Sequence, residues 1–215
     1  MTRRLPPEWA PQEAVLLTWP HVHGDWGSHL AAAEKCLLDI AREIARHERL
    51  IIACLDEAHL EHVAGRLSET GVEKDRARLF IAPSDDIWVR DHGPITVFEG
   101  HHRLLLDFRF NGWGGKYPAE RDDSVTRTLH RKGAFGELPL ASIDLVLEGG
   151  AIDTDGRGSL LTTRSCLLNP NRNPGLGEPD IERRLGELLG VERIHWLAHG
   201  RLAGDDTDGH VDTLA

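Results

Sequence analysis

No apolar run in the 215-residue chain approaches the ~20 residues that span a bilayer, so a membrane helix is not expected. The opening stretch MTRRLPPEWAP has basic residues but no apolar segment behind them, and a secretory leader is not expected either. Cysteine is scarce. Cys36, Cys54 and Cys166 cannot all pair, and each sits within an apolar run, which predicts buried thiols in a reducing, cytoplasmic setting. Positive charge is in deficit: 25 Lys and Arg against 35 Asp and Glu leave a net charge of −10. That balance argues against a nucleic-acid partner and suits a cationic ligand, although an acidic surface is also an ordinary route to solubility. No low-complexity linker or strict repeat divides the chain, and residues 1–215 are read as a single domain.

What is present is an ordinary globular composition, 40% hydrophobic and 28% charged. Short apolar runs predict strands at 14–19, 49–55, 77–82, 94–99, 103–110, 143–148, 159–168 and 193–198. Helical spacing predicts a helix over about 28–46, with Ser28 as its cap and Leu30, Ala33, Leu37, Ile40, Ala41 and Ile44 on its apolar face. Three more helices are expected: over 57–70 ending at Gly71, over RDDSVTRTLHRKG, and over PDIERRLGELLG. The class is mixed α/β. The GHHR link between the strands at 94–99 and 103–110 predicts an antiparallel hairpin.

Four clusters place polar residues where strands meet turns: DDIWVRDHGP (85–94), FNGWGGKY (110–117), LEGGAIDTDGRG (147–158) and GDDTDGHVD (204–212). The last is not a calcium loop. With Gly209 as the invariant glycine, the first ligand position falls on Gly204 and the twelfth on Ala215. A zinc reading pairs His210 and Asp212, as H-x-D on a strand, with His21 and His23. It lacks the length and regular strand–helix alternation of a barrel metallohydrolase.

A third reading joins the clusters around a guanidinium. This planar cation is gripped by carboxylates through parallel charge-assisted hydrogen bonds, and two carboxylates on opposite edges fix its plane. Asp91 and Asp212 can form that clamp. Expulsion of ammonia needs a proton donor, which His210 can supply, and Glu148 is expected to hold that imidazole in its charged form. The glycines after Glu148 are expected to permit a sharp turn. Each fragment also has an ordinary structural explanation: a local Arg90–Asp91 ion pair, a turn at EGG, a half-buried histidine, and core packing for Trp88 and Trp113.

Together these pieces resemble the agmatine deiminase family, a branch of the guanidine-modifying enzymes related to the bacterial peptidyl-arginine deiminases. The matching segments are PPEWAPQEAVLLTWP, WVRDHGPITV, LDFRFNGWGGKYP, LEGGAIDTDGRGSLLTTRSCLLNPNRNP and WLAHGRLAGDDTDGHVDTLA, in family order along the chain. The resemblance implies an α/β propeller of ββαβ modules, present here as roughly three of five. It implies hydrolysis of agmatine to N-carbamoylputrescine and ammonia on the route to putrescine, without metal or other cofactor. By motif position it implies Asp91 and Asp212 as guanidinium ligands, Glu148 and His210 as the acid/base pair, and Trp88 as a substrate-pocket residue. The family's nucleophile is a cysteine in a Gly-rich HC segment near the C-terminus, and this sequence has no such segment. Cys166 lies far from that position and is read as a structural thiol on a strand. The chain is therefore expected to be a fragment, inactive by itself and prone to self-association through exposed edges. Three alternatives stay open: a peptidyl-arginine or other guanidine hydrolase, a non-catalytic guanidinium-binding protein, and a metal-dependent amidohydrolase.

Overall fold

Strand β6, His102–Arg109, reads RLLLDFR along most of its length, and its last four residues before Arg109 are buried. In the computed structural model, which describes residues 3–200 and 202–214, it lies inside a sheet of order β1-β5-β6-β7. Here β1 is Arg3–Arg4, β5 Ile95–Glu99 and β7 Leu140–Val146. β5 and β6 form the expected hairpin, with Glu99 opposite His102. β7 runs parallel to β6, and its register jumps from Phe108↔Ile143 to Arg109↔Val146. This bulge brings β7 to its end beside Arg109 and places Glu148 just beyond the sheet.

A second sheet has the order β10-β9-β8, from Ile152–Thr154 (β8), Ser159–Thr163 (β9) and Arg193–Leu197 (β10). β8 and β9 pair antiparallel, whereas β9 and β10 pair parallel. Between β9 and β10 lies helix α7, Glu178–Leu189, which stops where Gly190 takes the left-handed φ of 71°. The two sheets belong to one compact unit of residues 1–10, 90–119 and 138–215. Its main core joins Val97, Leu106, Leu145, Leu160, Leu185 and Leu189 from both sheets and α7.

The second unit covers residues 11–89 and 120–137. Strands β2 (Ala14–Thr18), β3 (Arg49–Cys54) and β4 (Ala77–Ile81) pair parallel in that order. They are linked by helices α1 (Leu30–Ala45) and α2 (Glu57–Glu69). Asp56 caps α2 by accepting from His59 N at 2.9 Å. Helix α5, Glu120–Arg131, also belongs here. Its buried Asp122 accepts from the backbone of Asp85 at 2.7 Å and of Asp86 at 3.2 Å. Among the described residues no helix is long and apolar enough to cross a membrane.

Some expectations need correction. A 3-10 turn, Gly27–His29, precedes α1, and no side chain caps that helix. Its buried residues are Leu38, Ala41 and Ala45, while Ile40 is 42% exposed. Cys36, expected inside, is exposed, and all three cysteines are free. β9 ends at Thr163, because the Thr163 hydroxyl accepts from Cys166 N at 3.3 Å and starts a one-turn helix α6, Arg164–Leu167. Cys166 is thus helical rather than on a strand.

Leu160 is fully buried on the central strand of its sheet. Leu160→Ala is expected to cost about 2–5 kcal/mol through lost burial and the cavity left behind. Urea denaturation of the variant checks this: the midpoint drops while the slope is kept.

Candidate active site

Parallel strands bring their carboxyl ends to one side of a sheet, and that edge is where α/β proteins gather ligand-binding groups. Asn111 and Trp113 follow β6, and Glu148 follows β7. Arg172 follows β9, and the segment 204–212 follows β10. All lie in the first unit, as does Asp91 on the one-turn helix α3, Val89–His92.

The glycines after Glu148 explain how these groups meet. Neither adopts a left-handed φ, so the expected need for a sharp turn is not their reason. The reason is closeness. A Cβ on Gly149 would lie 2.1 Å from the Arg90 carbonyl oxygen. A Cβ on Gly150 would lie 2.5 Å from Asp212 Oδ2, 2.7 Å from Asp91 Oδ1 and 2.7 Å from His210 Nδ1. Three of the sequence-derived candidates therefore face one point on the Gly150 backbone.

Asp91 is 7% exposed and firmly held. Its Oδ1 accepts from Gly150 N at 2.9 Å and its Oδ2 from Trp113 Nε1 at 3.0 Å. His210 Nδ1 lies 3.5 Å from Asp91 Oδ1. Burial pushes the Asp91 carboxyl above its ordinary range, while Trp113 and Gly150 hold it back. Asp212, at the start of the 3-10 turn Val211–Thr213, is exposed; its carboxyl is raised by partial burial and by Asp91, against the pull of His210.

Glu148 is fully buried, and its two oxygens take Arg172 Nε at 2.9 and 3.1 Å. Burial raises its pKa, and the Arg172 guanidinium opposes that rise. His210, 1% exposed, departs from expectation in two ways. It sits in a loop, not on a strand. Its pKa is lowered to about 4: burial disfavours the imidazolium, and Arg172 adds to that, outweighing the carboxylates of Asp212, Asp205 and Asp208. The expected charged imidazole is thus a neutral one, chiefly because the ring is buried, with the Arg172 guanidinium adding to that effect. A neutral imidazole can donate a proton to a leaving nitrogen only after it has first accepted one.

The run of aspartates in 204–212 now has a division of labour. Asp205 shapes the loop by accepting from Thr207 N and Gly209 N, both at 2.8 Å. Asp206 Oδ2 accepts from the Tyr117 hydroxyl at 2.6 Å. Asp208 takes Arg172 Nη1 at 2.7 Å and Lys116 Nζ at 2.8 Å. Asp212 alone of the four carboxylates turns to the Gly150 point.

Trp88 lies in the second unit, 53% exposed, with its Nε1 donating to Asp86 Oδ2 at 3.1 Å. Arg90 pairs with Glu8. Arg109, a possible ligand for a substrate carboxylate on paper, is bonded to Asp144 at 3.1 Å on the surface. The histidine pair of the zinc reading is engaged elsewhere: His21 Nε2 meets the Ser84 carbonyl at 3.1 Å, and His21 Nδ1 accepts from His23 N at 3.3 Å. Glu148, Cys166 and His210 each bring one ligand-capable atom within 4.8 Å of the others. A cation among them would face the Arg172 guanidinium and compete with it for Glu148.

Sequence reasoning missed two residues. Trp113 was read as a core aromatic. It is buried, but at φ 55° it adopts a left-handed backbone that is unusual for so bulky a side chain, and its indole N–H fixes Asp91. Arg172 gave its only signal in the run NPNRNP, where two prolines bracket polar residues in a segment unable to continue a strand or helix.

The arrangement suits a flat, cationic, hydrogen-bond-donating ligand. Residues 4–215 match the family model of the Porphyromonas-type peptidyl-arginine deiminases, and the chain belongs to that family. It is 38% identical over 220 residues to an agmatine deiminase of Pseudomonas aeruginosa (strain LESB58), covering 98% of this chain and 56% of that protein. Among solved structures it resembles a cysteine-to-serine variant of C. jejuni agmatine deiminase with substrate bound, at TM-score 0.88 and 33% identity, covering 99% of this chain and 61% of that one. It also resembles the agmatine deiminase of Enterococcus faecalis, at TM-score 0.86 and 30% identity, covering 98% and 57%. The chain thus spans little more than half the length of the relatives it matches.

The neutral imidazole is directly checkable. Nitrogen-15 NMR of the ring is expected to show His210 still unprotonated at about pH 5, where an ordinary histidine has largely charged. A midpoint near its ordinary value would contradict the dry environment described here.

Proposed function

We propose that this chain carries the guanidinium-binding and acid/base groups of an agmatine deiminase, which hydrolyses agmatine to N-carbamoylputrescine and ammonia in putrescine synthesis. The observation that carries the reading is the convergence of Asp91, His210 and Asp212 on the single point above Gly150. Asp91 and Asp212 grip the guanidinium from two edges. His210 accepts the proton of a thiol as its sulfur adds to the central carbon and returns that proton to the departing ammonia; in the second half it deprotonates the water that adds to the same carbon and displaces the sulfur. Glu148 supplies negative charge behind the imidazole and steadies its charged intermediate state.

In this reading both units are parts of one guanidine-modifying domain, a partial α/β propeller of roughly three of five modules. The hairpin–helix–parallel strand order of β8, β9, α7 and β10 supports it. The three free thiols favour a cytoplasmic setting. The chemistry requires a thiol at the guanidinium carbon, deprotonated as its sulfur attacks. Cys166, the thiol beside Glu148 and His210, is a poor nucleophile, since burial and the Glu148 charge push its pKa far up. The chain by itself is therefore assigned binding without turnover, which is also what a non-catalytic guanidine-binding protein would show.

Isothermal calorimetry of this chain with agmatine tests the assignment. Agmatine is expected to bind more tightly than putrescine, which has no guanidinium. Asp91→Asn and Asp212→Asn should each weaken agmatine by roughly 10–100-fold, the worth of one charged hydrogen bond. Gly150→Ala should weaken binding at least as much in a folded protein, because its methyl group would push Asp91, His210 and Asp212 apart. Equal affinity for the two amines sinks the reading, and ureido product formed by this chain overturns the reading of Cys166.

A further inference from the structure

Behind the residues that face the ligand, the tripeptide Asn171–Arg172–Asn173 reaches each strand end and loop of the site. Asn173 Oδ1 accepts from Val146 N at 3.0 Å and its Nδ2 donates to Val146 O at 2.9 Å, fixing the end of β7 two residues before Glu148. The Asn171 carbonyl accepts from Asn111 Nδ2 at 2.9 Å. Its side-chain amide fills the space a Cβ on Gly114 would need, at 2.3 Å, and so backs the turn from which Trp113 holds Asp91. Between them Arg172 is 3% exposed and donates in three directions. Nε goes to both oxygens of Glu148, Nη1 to Asp208 Oδ2 at 2.7 Å, and Nη2 to the Thr207 carbonyl at 2.8 Å.

We propose that Arg172 is the positioning residue of this site: one buried guanidinium holds the Glu148 carboxylate and the 205–210 loop in a single arrangement, so that Glu148 and His210 meet the ligand together. This rests on the guanidine-binding reading above. A planar fork of five N–H groups serves these three partners at once, whereas the ammonium of a lysine has the charge without the reach. The groups that face Glu148 are Arg172, Asp91, Cys166 and His210. Burial and Asp91 favour its protonated form, and Arg172 is the cation that opposes them. Removing the guanidinium thus changes both the charge of Glu148 and the setting of the His210 loop.

The test combines a carbon-13 NMR titration of the Glu148 carboxyl with agmatine calorimetry across pH, on the wild-type chain, Arg172→Met, Arg172→Lys and Asp208→Asn. In Arg172→Met, Glu148 is expected to titrate at least about one unit higher than in wild type, as for a carboxyl stripped of its cation. Agmatine affinity should fall at least about tenfold, with its pH midpoint displaced in the same direction. Arg172→Lys should recover much of the Glu148 titration without recovering the affinity. Asp208→Asn, which leaves the guanidinium and removes one of its anchors, should weaken binding less and leave the Glu148 titration in place. A folded Arg172→Met that weakens binding evenly at every pH, with Glu148 titrating as in wild type, reduces Arg172 to a structural part and overturns the proposal. If that variant does not fold, unchanged affinity in both Arg172→Lys and Asp208→Asn overturns it instead. A wild-type chain that ignores agmatine at every pH defeats the guanidine-binding reading, while the Glu148 titration still decides the part played by Arg172.

Discussion

The ion pair of Arg172 with Glu148 is the constraint on which the site's geometry depends. Both side chains are fully shielded from water, so neither charge can be left alone. Removing one partner of such a pair strands the other in a medium that solvates it poorly. The pair therefore commits the chain to one placement of the 148–150 segment against the 205–210 loop, two stretches nearly sixty residues apart in sequence. It also divides the acidic groups. Glu148 is occupied by a guanidinium that the protein itself supplies, whereas Asp91 is held by neutral N–H donors and converges with Asp212 beside Gly150. The protein already contains, at Glu148, the recognition chemistry that the other two carboxylates offer to a ligand.

The backbone has been shaped to allow this. Gly150 is needed not for an unusual torsion but because three polar groups converge where a side chain would begin. Trp113 shows the opposite case, an aromatic held in a left-handed backbone so that its indole N–H reaches a buried carboxylate. Strain of this kind persists only where the surroundings over-determine it. The surroundings here are Asn111 capping Gly114 N at 2.9 Å and Asn171 packed behind that turn.

The long strands and helices were legible because burial imposes a period on the sequence. β3, β5, β6 and α7 lie within a residue or two of where their apolar spacing puts them. The failures share a cause, since they lie where a single side chain overrides the pattern. TTRSCLL reads as strand until the Thr163 hydroxyl caps a helical turn. The H-x-D spacing at 210–212 imitates a strand, but Asp205 has already folded the preceding residues onto its own carboxylate. Cys36 sits among apolar letters yet on the outer face of α1, whose buried stripe runs through Leu38, Ala41 and Ala45. β1 and β8, two and three residues long, are too short to show any period. Of the candidate site, the residues that meet beside Gly150 could be named from their chemistry. Arg172 could not, because an arginine in a loop ordinarily faces water, and only the fold reveals that this one does not.

The electrostatics of the empty site are unbalanced in a consistent sense. Asp91, Glu148 and Asp212 are all pushed towards their neutral forms, and His210 is kept neutral as well. Burial is the leading cause in each case, so these are signs of charges that lack adequate solvation rather than four separate tunings. A cation brought beside Gly150 would relieve that deficit for the carboxylates. It would do the reverse for His210, since a second positive charge beside Arg172 further disfavours the imidazolium. The neutral state of His210 thus follows first from its burial and then from where Arg172 sits, and not from any property of histidine itself.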